Sequence, residues 1–332
     1  MADDSRTTVA AARGPKAAEL APAAADVLAA SVASDRPNAH LLPVAEARRN
    51  FDSDYASLGP GEDVAEIYDR QVHVTDGEIT VRLFRPSSPG VLPAVVYFHG
   101  GGWLLGGLDS HQMVCRALAN ASGAVVVSVD YRRGPEWRFP TAVFDSYAGL
   151  TWVHGNAGRL SVDPERLAVA GDSAGGNLAT VVALLARDRG GPKLALQVLA
   201  YPVTTTDLDV GFDLAYEGFF LYRDELQWHQ DNYLQSRDQR TDPLVSPLEH
   251  AELEGLPPAI VITAQCDPLH RQGELYAERL AEAGVETEHR PYPGMVHGFF
   301  ALPRAFAEGA AAVSAAGAAL RRRFGTADDH GR

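Results

Sequence analysis

Gly171-Asp172-Ser173-Ala174-Gly175 sets a serine between two glycines, with one residue on either side. The apolar run Leu167 to Ala170 precedes it, and a helical pattern reaching about Arg187 follows. Such a strand–turn–helix pushes the serine hydroxyl out beside helix N-terminal N–H groups, and the glycines leave room for the tight turn. A Gly-rich turn with a merely capping serine has the same pattern, so the motif needs partners. A serine hydroxyl attacks a carbonyl carbon only when a base takes its proton, and that base is best oriented by a carboxylate.

Downstream of Ser173 lie His229, His250, His270, His289, His297 and His330. His297 sits in Pro293-Gly294-Met295-Val296-His297-Gly298, a glycine-bracketed loop just past a predicted strand. His289 falls within that strand and His270 on the first turn of a helix. His229 and His250 lie in or beside an aromatic-rich segment, and His330 is in the terminal stretch. Position therefore selects His297 as the base. It must be neutral to act, so the rate should fall at acid pH. Asp267, just past Ile260-Val261-Ile262-Thr263, is the matching acid. An N-cap before Pro268 is the other way to read that aspartate. Asp172 is a rival acid, but next-door residues at such a turn point differently, which suits it to local hydrogen bonds.

Negative charge developing on a carbonyl oxygen needs fixed N–H donors. Ala174 supplies one, and His99-Gly100-Gly101-Gly102-Trp103, again directly after a strand, supplies others. Glycines let the backbone approach a substrate without side-chain clash. A phosphate cradle is the competing use of such a loop, but the chain has neither G-K-[ST] nor G-x-G-x-x-G at a first strand.

These loops require a scaffold of strands. Strands are predicted at Glu66 to His73, Ile79 to Phe84, Ala94 to Phe98, Ala124 to Val129, Leu167 to Ala170, Leu194 to Ala200, Ala259 to Thr263 and Thr287 to Tyr292. Helical patterns alternate with them, ending in a long Ala-rich helix from Pro303 to Phe324. The alternation predicts an α/β architecture, a mostly parallel central sheet with helices on both faces and ligands at the strands' carboxyl ends. Two pieces fall outside the rhythm. Residues 17–62 hold two helices, about Ala23 to Ser34 and Pro43 to Leu58. Residues 204–245 are aromatic-rich without strand signal and read as a helical insertion. The α/β core is then 63–203 and 246–324, with tails at 1–16, expected to be disordered, and 325–332.

The 332 residues are 46% hydrophobic and 22% charged, an ordinary globular composition. Against 43 Asp and Glu stand 29 Lys and Arg, and a net charge of −14 argues against nucleic acid as a partner. Two cysteines, Cys115 and Cys266, are expected as reduced thiols. No apolar run of membrane-spanning length and no basic-then-apolar leader is visible, so no membrane association is expected and the expected location is the cytoplasm.

The sequence resembles the hormone-sensitive-lipase-like α/β hydrolases, the bacterial family IV esterases. The resemblance rests on His99 to Trp103, Asp130-Tyr131-Arg132, Pro135-Glu136, Phe139-Pro140, Gly171 to Asn177, Cys266-Asp267-Pro268-Leu269 and His297-Gly298-Phe299. It implies Ser173 as nucleophile, Asp267 and His297 as its partners, and Gly101, Gly102 and Ala174 as oxyanion donors. It also implies a cap built from residues 17–62 and 204–245. The expected reaction is cleavage of small-molecule carboxylic esters of small to medium acyl chain through an acyl-enzyme, with no metal or organic cofactor. Trp103, Asp172, Tyr201 and Phe219 are the expected substrate contacts. A homodimer is common among lookalikes. Amide hydrolysis, such as deacetylation of a biosynthetic intermediate, uses the same groups, and a non-catalytic small-molecule receptor is a third use of the fold. Two stretches depart from the family: Arg133-Gly134 replaces Leu-Ala, and His270-Arg271-Gln272-Gly273 replaces Arg-Asp-Glu-Gly. The first bears on local loop packing, the second on a surface network near the acid.

Overall fold

A computed structural model describes residues 15–34 and 36–326. Eight strands, β1 (Glu66–Val74), β2 (Gly77–Arg85), β3 (Leu92–Phe98), β4 (Val125–Asp130), β5 (Val162–Asp172), β6 (Leu194–Ala200), β7 (Ala259–Ala264) and β8 (Thr287–Tyr292), form one sheet in the order β1-β2-β4-β3-β5-β6-β7-β8. β1 and β2 pair antiparallel with each other, and β2 with β4; every other pairing is parallel. The helices are α1 (Pro22–Ala33), α2 (Val44–Ser57), α3 (Gln112–Ser122), α4 (Thr141–Gly155), α5 (Ala157–Leu160), α6 (Ala174–Asp188), α7 (Arg223–Tyr233), α8 (His270–Glu282) and α9 (Ala307–Phe324).

The continuous apolar run of β3 follows from burial on both faces. Ala94, Val96 and Phe98 pack toward α4, α6 and α8, while Val95 and Tyr97 pack toward α1, α3 and α9. A fully buried valine or leucine of this kind contributes about 1.5–3 kcal/mol. Register then fixes the site. Phe98 pairs with Val129 and Gly171, and Asp172 pairs with Ala200, so the strands' carboxyl ends come out level. The loops leaving them carry all the residues singled out by chemistry.

Some boundaries differ from expectation. β5 begins at Val162, which pairs with Leu92; the polar Asp163-Pro164-Glu165 hides this in the sequence. The last helix starts at Ala307, because Phe299–Ala301 forms a buried 3-10 turn first. Within residues 204–245 α7 is the α-helix, and Leu214–Tyr216 and Arg237–Thr241 are 3-10 turns. Gly211 and Gly218, both at positive φ, interrupt any longer helix. Of the tails, residues 1–14 and 327–332 lie outside the described residues. Lys16 pairs with Glu19 at 2.7 Å, and Glu19 accepts the Tyr216 hydroxyl at 2.6 Å. No helix among the described residues is long and apolar enough to cross a membrane. Cys115 and Cys266 are buried and unpaired.

Candidate active site

Ser173 stands between the end of β5 and the start of α6 with φ 55° and ψ −120°. A non-glycine residue at positive φ is strained and needs surrounding structure to hold it. Its N–H donates to the Ala200 carbonyl at 2.9 Å, and its carbonyl accepts from Asn177 at 3.0 Å and Val203 at 3.2 Å. The flanking glycines are steric necessities. A Cβ on Gly175 would run into the carbonyl oxygen of Phe98, and one on Gly171 into that of Gly175.

The Ser173 hydroxyl lies 2.8 Å from His297 Nε2, and His297 Nδ1 lies 2.6 Å from Asp267 Oδ2. Asp267 is fully buried. Its other oxygen accepts the N–H of Leu269 at 2.8 Å, so the aspartate braces its own turn and the histidine at once. This carboxylate selects the tautomer in which Nδ1 carries the proton, leaving Nε2 free to take the serine proton. The other downstream histidines are placed elsewhere. His289 reaches Thr263, His270 donates to the Asp267 carbonyl, and His250 is near Asp188. His330 lies outside the described residues.

The loop after β3 closes over the serine. Gly101 has φ 108° and Gly102 φ 60°. Among the described residues, no hydrogen bond engages the N–H of Gly101, Gly102 or Ala174. Three free donors near one hydroxyl suit an oxygen that gains charge during reaction. Gly102 also has no space for a side chain, because the His229 ring of α7 occupies it. Burial lowers the His229 pKa to about 3, which keeps that ring neutral.

Ser173 and His297 open onto a cavity of about 680 Å³. Phe51 and Tyr55 of α2 form one wall, Leu208, Phe220, Leu221 and His229 another. Trp103 lines it and stacks on Tyr233 at 4.6 Å. Phe219 is different: it is buried in the core against Tyr216, and its neighbour Phe220, at φ 69°, lines the cavity instead. Tyr201 packs on His297 with its hydroxyl accepting from Ala301 N–H. Asp172 borders the cavity, yet one of its oxygens accepts the Tyr97 hydroxyl at 2.6 Å and Gly100 N–H at 3.1 Å. Among the described residues, no group of three or more His, Cys, Asp or Glu is arranged to hold a metal ion.

The family departures also find their places. A Cβ on Gly134 would lie 2.7 Å from the Asn232 carbonyl, so α7 packs closer than alanine would allow. In the second stretch Arg271 pairs on the surface with Glu274 at 2.9 Å and Glu278 at 3.2 Å, whereas Gln272 is fully buried, and its amide oxygen accepts from Thr204 at 3.0 Å and Thr205 at 3.3 Å. Sequence reasoning passed over His111, Tyr55 and Tyr97. No local spacing marks them, because they meet the site only through contacts between distant segments.

A family model described as the alpha/beta hydrolase fold matches residues 95–301. Carboxylesterase NlhH of Mycobacterium tuberculosis is 46% identical over 253 residues, spanning 74% of this chain and 78% of that protein. An ethyl acetate hydrolase of Pseudomonas putida is 39% identical over 270 residues, spanning 79% of this chain and 85% of its own. Among solved structures, a hyperthermophilic esterase from the archaeon Pyrobaculum calidifontis superposes with a TM-score of 0.86 at 39% identity, covering 93% of this chain and 99% of that one.

Proposed function

The chain belongs to the hormone-sensitive-lipase-like α/β hydrolases and is a carboxylic ester hydrolase, and we propose that it cleaves esters of small to medium acyl chain through an acyl-enzyme on Ser173. His297 takes the Ser173 proton as the hydroxyl attacks the ester carbonyl. The N–H groups of Gly101, Gly102 and Ala174 stabilise the oxyanion. The tetrahedral intermediate collapses, His297 protonates the departing alkoxide, and the alcohol leaves. His297 then activates a water that attacks the acyl carbon, and Ser173 is released with the carboxylic acid. Asp267 stabilises the imidazolium that forms in each half.

The observation that carries this reading is the continuous contact from Asp267 through His297 to Ser173, at 2.6 and 2.8 Å, at the edge of a largely apolar cavity. We read α1, α2 and residues 204–245 as the cap over it. A cavity of about 680 Å³ lies within the range of small-molecule sites, roughly 300–1,000 Å³, which supports the acyl size. The test is a panel of p-nitrophenyl esters of increasing acyl length beside the matching anilides, with Ser173→Ala alongside. Fast turnover of short esters, slow anilides and an inactive variant are expected. Full activity in the variant would overturn the assignment, and faster anilide turnover would make the protein an amide hydrolase.

A further inference from the structure

His111 is fully buried just before α3 and lies inside the bend of the loop from Gly100 to Gly107. Its Nε2 lies 3.2 Å from the Gly100 nitrogen and 3.5 Å from Asp172 Oδ2, and the Gly100 N–H also reaches Asp172 Oδ1 at 3.1 Å. To accept there, the ring must carry its proton on Nδ1, which then donates to Ser110 Oγ at 2.9 Å. Ser110 donates to the Gly107 carbonyl at 3.1 Å and accepts the Gly107 N–H at 2.9 Å. One imidazole therefore ties both ends of the loop. Between them, a Cβ on Gly106 would stand 2.9 Å from the Gly100 carbonyl oxygen, 3.1 Å from His99 Nδ1 and 3.2 Å from His111 Cε1, so the His111 ring shares the bend with His99.

The ring is itself held from outside the core. Tyr55 of α2 stacks on it with centroids 5.4 Å apart and planes 24° apart. Phe51, one turn earlier on α2, stacks on Tyr55 at 4.5 Å and approaches His111 at 6.3 Å. Both aromatic residues also wall the cavity.

We propose that His111 is a positioning residue for the oxyanion loop, and that the N-terminal helix α2 keeps it in register through Tyr55. This rests on the reading of Gly101 and Gly102 as oxyanion donors. Gly101 directly follows the tethered Gly100, so a loose His111 displaces the donors from the forming oxyanion while leaving most of the cavity wall intact. The N-terminal helix thereby acts on the chemical step as well as on substrate binding. A misplacement of about 1 Å is enough to cost on the order of 100-fold in rate.

The test compares His111→Leu, which removes the acceptor, with His111→Gln, whose side-chain oxygen reaches the position of Nε2. kcat and KM are measured on p-nitrophenyl butyrate, with competent sites counted by titration with a p-nitrophenyl phosphonate. For the leucine variant, kcat per site should fall about 10- to 100-fold with KM little changed, and the glutamine variant should regain most of the loss. Tyr55→Ala should lower kcat too, and adding it to His111→Leu should cost less than the product of the separate effects. If the leucine variant does not fold, His111→Asn, too short to reach Gly100, takes its place. Unchanged kcat per site, a loss not regained with glutamine, or independent effects of the two positions would overturn the proposal. Ser173→Ala separates the two levels. An active Ser173→Ala removes the underlying reading, whereas an inactive one beside unaffected His111 variants removes only this inference.

Discussion

The ring of Tyr201 packs 4.6 Å from the ring of His297, tilted by 50°. Tyr201 is itself fixed: its backbone sits at φ 35°, its N–H donates to Ile262, and its hydroxyl accepts the Ala301 N–H at 3.2 Å. The loops bearing the acid and the base are also joined, by Cys266 N–H to the Met295 carbonyl at 2.8 Å and Gly294 N–H to the Gln265 side chain at 2.8 Å. The histidine is therefore oriented before any substrate arrives, and such preorganisation is where catalytic advantage is expected to reside.

Asp267→Asn tests that orientation. The amide oxygen can still accept from Leu269, so the turn should survive, but the histidine loses the carboxylate that selects its tautomer. kcat should fall on the order of 10³–10⁴-fold with little change in melting temperature. A loss of less than tenfold in kcat would mean that another group orients His297.

Gly175→Ala tests the elbow. The added methyl would run into the Phe98 carbonyl oxygen and lie 2.6 Å from that of His99, backbone atoms that give way only if the strand end or the helix shifts. Overpacking of this kind costs about 1–3 kcal/mol or more. Urea unfolding should show the loss, together with reduced activity. An unaltered midpoint and activity would contradict the close approach of α6 to β3.

The elbow, the glycine loop and the acid–base pair were legible because each is dictated by backbone geometry next to a strand. Glycine is required where Gly175 meets Phe98, and the spacing shows it. The eight strands were legible from runs of β-branched and aromatic residues. The layout inside the insertion was not. Phe219 and Phe220 are adjacent in an irregular segment, so no periodicity tells which one enters the cavity. His111 was equally invisible, since Tyr55 reaches it across 56 positions of chain. The stretch from His270 to Gly273 was read as bearing on a surface network, and nothing in its spacing showed that Gln272 turns inward to accept from residues 204 and 205.

His229 should leave a signature in stability against pH. Burial lowers its pKa in the folded protein from 6.5 to about 3. Between those values the unfolded chain binds a proton that the folded chain refuses. Its stabilising contribution is thus complete above pH 6.5 and is lost as the pH falls toward 3, by at most about 1.4 kcal/mol per pH unit. His229→Gln removes this dependence. Urea unfolding at pH 7 and pH 5 should therefore show the native protein losing more stability than the variant. Equal losses would contradict a buried, neutral imidazole against Gly102.

The most direct test of the account is the site of acylation. The protein is mixed with p-nitrophenyl butyrate, quenched in acid within the first turnovers, and its peptides are analysed by mass spectrometry. The account predicts a butyryl group on the peptide carrying Ser173, appearing with the initial release of p-nitrophenol and absent from Ser173→Ala. A butyryl group on another residue that forms and decays at the turnover rate, or undiminished hydrolysis by Ser173→Ala, would contradict it.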